Sequence, residues 1–224
     1  VTVDGKPIDA EYARARAHWE KLYEATQIKG DGETHGLLSP DDEFADYETW
    51  DLGNLDLSQK KTNDMLPREY ARSGLMRGLE YAEKLGTNPF AFGMIGSTDS
   101  HTSMPAVEEE NFFGKHTGSE PKPERWSHPF MKNENGTIHG WREVASGYAA
   151  VWAHENTRAS LWDAMKRRET YATTGTRLVV RFFGGYQFTP EHTHYRIPAD
   201  IGYKLGVPMG GELSAANGRS PTFL

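Results

Sequence analysis

The chain has 224 residues, enough for one sizeable core, and six Trp, ten Tyr and ten Phe exclude a disordered polypeptide. A net charge of −7, with both signs interspersed and no long basic run, argues against nucleic-acid binding, although a metal ion could still recruit an anionic ligand locally. The absence of cysteine excludes disulfides, thiolate nucleophiles and cysteine-based zinc sites.

No apolar stretch approaches the ~20 residues that cross a bilayer, and no signal peptide is visible. The start at Val1 and the end in Ser-Pro-Thr-Phe-Leu read as an internal piece of a longer polypeptide. Composition predicts a helix from Asp9 to about Glu20, then a short strand over Leu22–Gln27. From Lys29 to Asp46 runs a polar loop long enough to suggest function.

Pro67 to Leu85 forms the clearest helix. Pro67 suits its first turn, Leu75, Leu79, Ala82 and Leu85 share one face, and Gly86 suits its stop. Phe90 to Gly96 reads as a buried strand, followed by a long loop from Ser103 to about Arg142. In that loop, Asn135-Gly136-Thr137 matches the N-glycosylation pattern and is read as a chance match. Gly147 to Ala153 is a second buried strand, and Asn156 suits the cap of a helix from Thr157 to Arg168 with Leu161, Trp162 and Met165 inward. Leu178 to Phe188 is a further strand, after which the pattern becomes rich in Gly and Pro. The alternation up to about residue 175 points to a layered or barrel α/β architecture.

The chemistry concentrates in Gly96-Ser97-Thr98-Asp99-Ser100-His101-Thr102. Asp and neutral His both bind divalent metals. On an extended segment a spacing of two turns both side chains the same way, and strand C-termini carry the sites of α/β barrels. Ser97, Thr98 and Thr102 could orient such ligands. The same residues also fit an ordinary turn capped by Asp99, with His101 a satisfied polar residue.

This segment resembles the late Asp-x-His motif of the polymerase-and-histidinol-phosphatase (PHP) superfamily, and the chain more closely resembles the DUF3604 group placed beside it. The resemblance is carried by the stretch from Gln27 to His35, by Leu38 to Glu48 and by Lys84 to Phe90. It continues through Glu109 to Gly114, Tyr171 to Gly175 and Gly206 to Gly211. It implies a fold of class α/β: the C-terminal part of a distorted (β/α)7 TIM-like barrel over residues 1–175, with long loop insertions and a β-rich extension over 176–224. It further implies two or three divalent ions (Mn2+, Zn2+ or Fe2+) in the complete protein and hydrolysis of a phosphoester or related bond by metal-activated water. Only Asp99 and His101 match the family's metal ligands; the opening His-x-His would lie upstream of Val1. The chain alone is therefore expected to bind metal weakly and to show no turnover. A small anionic substrate and an exported bacterial protein are also implied.

Glu33 and His35 share the two-residue spacing, in the loop at the expected face of the barrel, and are candidate acid–base groups. Arg177 and Lys115 are candidate contacts for an anionic substrate, against the plainer reading of surface cations. Glu24 reads as a partner of a neighbouring strand. His192 and His194 form a His-x-His too late in the chain for the family's opening ligands. His116 and His128 read as surface residues, and His18, His139 and His154 as structural ones. Gly210-Gly211 reads as a tight turn, and no nucleophile elbow is present. Two rivals remain: a metal-dependent amidohydrolase, and a non-catalytic module whose Trp and Tyr contact carbohydrate or protein.

Overall fold

In the computed structural model, the residues described are 1–2, 4–27, 30–103, 107–108, 110, 112–116, 118, 122–216 and 218–224. Parts of the Gln27–His35 and Glu109–Gly114 stretches, at Ile28, Lys29, Glu109 and Asn111, lie outside them. The order begins with helix α1 (Ala10–Trp19), which starts because the Asp9 carboxylate accepts the Tyr12 N–H at 2.8 Å. Strand β1 (Leu22–Gln27) pairs antiparallel with β2 (Gly30–Asp31) and parallel with β3 (Gly93–Gly96). Helix α2 (Ala71–Leu85) lies in the crossover between β1 and β3, as a parallel pair requires.

Helix α2 departs from its sequence expectation at one end. Pro67 sits in a separate 3-10 turn (Leu66–Arg68), and the helix begins at Ala71 with no side-chain cap. The reason is tertiary: the Ala71 and Arg72 N–H groups donate to the carbonyls of Gly32 (2.8 Å) and Glu33 (3.0 Å). Those bonds satisfy donors that a helix start leaves open. At the other end Gly86 adopts φ +71°, the left-handed cap conformation that glycine supplies without a Cβ clash. The buried face also differs. Ala71, Ser73 and Gly78 face inward, whereas Leu79 is 69% exposed. At Gly78 no side chain fits, because Asn88 folds back against it.

The long loop contains a hairpin that the sequence reading missed: β4 (Pro129–Asn133) paired with β5 (Gly136–His139). Ile138, fully buried, joins Trp50 and Leu57 in a core cluster with Leu52 and Met131 against it. Asn135 donates its side-chain amide to the Leu57 carbonyl at 3.0 Å. Strand β6 (Tyr148–Val151) pairs antiparallel with β7 (Thr170–Thr173), with α3 (Arg158–Lys166) between them. Thr157, not Asn156, caps α3, and Ala164 is its buried residue while Trp162 is exposed.

Strand β7 lies beside β3 in the same direction: Gly93 faces Thr170 and Gly96 faces Thr173. The C-terminal ends of β1, β3 and β7 therefore share one edge. They approach closely because Gly96 and Gly147 flank the Thr26 hydroxyl, and a Cβ at Gly147 would overlap it.

Residues beyond 182 build a separate sheet in the order β10-β8-β9, from β8 (Phe183–Gly185), β9 (Gly206–Pro208) and β10 (Thr222–Phe223), with α4 (Pro198–Leu205). The predicted strand from Leu178 is thus confined to its second half, and Leu178 and Val179 are exposed. Arg168 fastens this sheet to the rest by donating to Ala91 (2.7 Å) and Gly210 (3.0 Å) carbonyls. None of the hydrogen-bonded sheets closes on itself among the described residues. No helix among them is long and apolar enough to cross a membrane.

Candidate functional site

Three residues past β3 the chain turns sharply: Asp99 has φ +50°, a left-handed conformation uncommon outside glycine, asparagine and aspartate. The sequence reading placed Asp99 and His101 on an extended segment; the turn replaces that geometry but still brings the pair together. His101 Nε2 bonds Asp99 Oδ1 at 2.7 Å. The turn is pinned from several sides. Ser97 N–H donates to Thr26 O (2.8 Å), Ala145 N–H to Thr98 O (3.1 Å) and His101 N–H to Lys115 O (2.8 Å). Within it, Thr98 Oγ1 accepts the Ser100 N–H at 3.2 Å, and the Ser100 and Thr102 hydroxyls meet at 2.9 Å.

Lys115 is not a surface cation. Its side chain is 1% exposed, and Nζ donates to the Asp99 carbonyl and, at 3.2 Å, to Asp99 Oδ1. It therefore neutralises Asp99 from inside the protein rather than meeting a ligand from solvent. His116 is exposed, as its loop position suggests, yet its ring lies 5.1 Å from that of His101.

Glu143 is a residue the sequence reading overlooked. It ends the 3-10 turn Gly140–Glu143, is 0% exposed, and neither carboxylate oxygen has a hydrogen-bond partner. Burial pushes its pKa up to about 7; the Lys115 charge opposes this and the Asp99 charge adds to it. No local motif marks it in the sequence, because its neighbours come from residues 99 and 115.

Glu33 and His35 belong to another cluster. Glu33 accepts from Arg72 at 2.8 and 2.9 Å, and Arg72 also grips Asp42 at 2.7 Å, which raises the guanidinium pKa. His35 Nε2 lies 3.3 Å from Asp51, while its Nδ1 accepts the Leu37 N–H at 3.1 Å. Beside them Asp31, in the Gly30-Asp31-Gly32 stretch, is buried and accepts the Glu33 N–H at 2.8 Å. Burial raises its pKa, with backbone hydrogen bonds pulling the other way. Asp31 lines both a cavity of about 350 Å³ with Tyr23, Trp50 and Tyr70, and one of about 520 Å³ with Glu33, Tyr47 and Thr174. Glu48, also raised by burial, accepts from Ser146 Oγ at 3.2 Å.

The strap from Glu143 to Gly147 spans the two clusters. Glu143 feels the charges of Asp99 and Lys115, Ala145 holds Thr98, and Ser146 reaches Glu48. Arg177 lies apart, stacked 4.6 Å over the Tyr148 ring and donating to its hydroxyl at 3.0 Å. His192 is engaged in a capping box with Thr189. His139 Nδ1 meets the Ser127 carbonyl at 2.9 Å, and Gly211 N–H closes a turn on Pro208 O at 2.9 Å.

Chemically, Asp99, His101, His116 and Glu143 carry oxygen and nitrogen atoms of the types that bind Mn2+ or Zn2+. The orphaned buried oxygens of Glu143 fit a cation more naturally than they fit an apolar interior. Among the described residues no group of three or more His, Asp or Glu side chains stands preformed as a metal cage.

The class so defined is an α/β protein with a carboxylate–imidazole cluster where parallel strands end. The family described as "Protein of unknown function (DUF3604)" matches residues 1–224, so the chain belongs to that family. No curated protein and no solved structure matches the chain.

Proposed function

We propose that this chain carries part of a metal-dependent hydrolase site acting on phosphoester or related bonds, in a PHP-type barrel over 1–175 with an extension over 176–224. The observation that carries the reading is the Asp99–His101 pair, bonded at 2.7 Å, just beyond the shared C-terminal edge of β1, β3 and β7. In α/β folds ligands bind at that edge. A divalent ion, when bound, polarises the substrate oxygen and lowers the pKa of water. Asp99 would supply a carboxylate oxygen and His101 an imidazole nitrogen; Lys115 sets its ammonium 3.2 Å from the Asp99 carboxylate on its buried side. Glu33, paired with Arg72, and His35 are the groups for proton transfer, and Arg177 is the exposed cation for an anionic substrate.

The test is a panel of phosphomonoesters, phosphodiesters and amides, assayed with Mn2+ or Zn2+ on the protein expressed from its intact gene. Phosphoester turnover lost in Asp99→Ala supports the proposal, and turnover of amides alone would move it to an amidohydrolase. Absence of turnover together with unaltered binding properties in Asp99→Ala would contradict it.

A further inference from the structure

We infer that Glu143 is a further anionic group of the Asp99 site, donating its carboxylate to the same divalent cation; this rests on the metal reading above. A buried carboxylate without a partner is costly, and native interiors pair nearly all of them. Other buried carboxylates here obey that rule. Asp31 accepts backbone amides, and Glu169 accepts from Arg167 at 2.8 Å and from the Tyr203 hydroxyl. Glu143 is fully buried with both oxygens orphaned.

The nearby cation does not resolve this. Lys115 Nζ bonds the Asp99 carbonyl and carboxylate instead, and neither Glu143 oxygen gains a hydrogen bond from it. Protonating Glu143 does not resolve it either, since a carboxylic acid would bury an O–H donor that still lacks an acceptor. A divalent cation meets the need: it takes the orphaned carboxylate oxygens as donors, alongside the Asp99 oxygen and the His101 nitrogen. The strap that carries Glu143 is anchored to the turn it serves by the Ala145-to-Thr98 hydrogen bond at 3.1 Å.

The experiment is calorimetric titration of Mn2+ into the metal-stripped protein, expressed from its intact gene, as wild type and as Asp99→Ala, Glu143→Gln and Glu143→Asp. Near-ultraviolet circular dichroism and urea midpoints without metal check that each variant is folded. Loss of binding in Asp99→Ala, weakening of roughly 10–100-fold in Glu143→Gln and partial recovery in Glu143→Asp support the inference. Mn2+ must also raise the urea midpoint less in Glu143→Gln than in wild type. If Glu143→Gln binds Mn2+ like wild type while Asp99→Ala does not, a buried water is all that Glu143 holds; this inference fails and the metal reading survives. If wild type binds no Mn2+, both fail.

Discussion

Replacing Lys115 with Met removes the ammonium but keeps most of the side-chain volume, so the change isolates charge. Lys115 is 1% exposed and its partner Asp99 23% exposed, which makes the pair closer to a buried than to a surface ion pair. Exposed pairs contribute about 0–1 kcal/mol, and breaking a buried pair costs about 3–5 kcal/mol. With Asp99 partly solvated, Lys115→Met should cost on the order of 3 kcal/mol. For a chain of this size that lowers the midpoint of thermal unfolding by roughly 6–12 °C. The charge of Lys115 also acts on Glu143, so the two sites must be coupled. In metal-stripped protein, adding Glu143→Gln to Lys115→Met should recover at least about 1 kcal/mol relative to additivity. Urea unfolding of wild type, both single variants and the double variant closes the cycle. A cost below about 1 kcal/mol for Lys115→Met, or additivity within about 0.5 kcal/mol, would refute the argument that Lys115 is the internal counter-ion.

Ile138→Ala, in the hairpin core against Trp50 and Leu57, should cost about 2–5 kcal/mol by urea unfolding; a loss under about 1 kcal/mol would mean the hairpin is not docked there. Gly147→Ala should cost about 1–3 kcal/mol, because its Cβ would overlap the Thr26 hydroxyl where β6 begins; a neutral result would contradict that close approach. Burial raises the Glu48 pKa above its ordinary 4.5, so the folded state holds that proton more tightly than the unfolded one. Wild type therefore loses stability as pH rises from about 4.5 through the folded value. Glu48→Gln keeps an acceptor for Ser146 and should gain stability over wild type across that window, with no such gain below it. Urea midpoints at acid and neutral pH would contradict this if the difference between the two proteins did not change.

Elements with local signals were legible in the sequence: Asp9 capping α1, the apolar run that ends in β3 and the Gly86 stop of α2 each act within a few residues. The start of α2 was not, because its first N–H groups are satisfied by Gly32 and Glu33, nearly forty residues away in the chain. Its inward face was misread for a related reason: Asn88, ten residues on, folds back and leaves room only for glycine at Gly78. The β4–β5 hairpin carried a readable signal, an Asn-rich turn ending at Gly136, that the glycosylation match obscured. At the site, Asp99 and His101 were recognisable by type and spacing, although a left-handed turn rather than a strand joins them. Lys115, His116 and Glu143 reach them only through the folded chain, so neither the burial of Lys115 nor the orphaned state of Glu143 could be read from residue order.

The most direct measurement is elemental metal analysis of the protein purified from its intact gene, paired with phosphoester turnover before and after chelation. A divalent ion retained by wild type, lost from Asp99→Ala and His101→Ala, and needed to restore turnover is the result expected. Turnover that survives complete chelation, or metal retained undiminished by both variants, would contradict the assignment of Asp99 and His101 as the heart of the site.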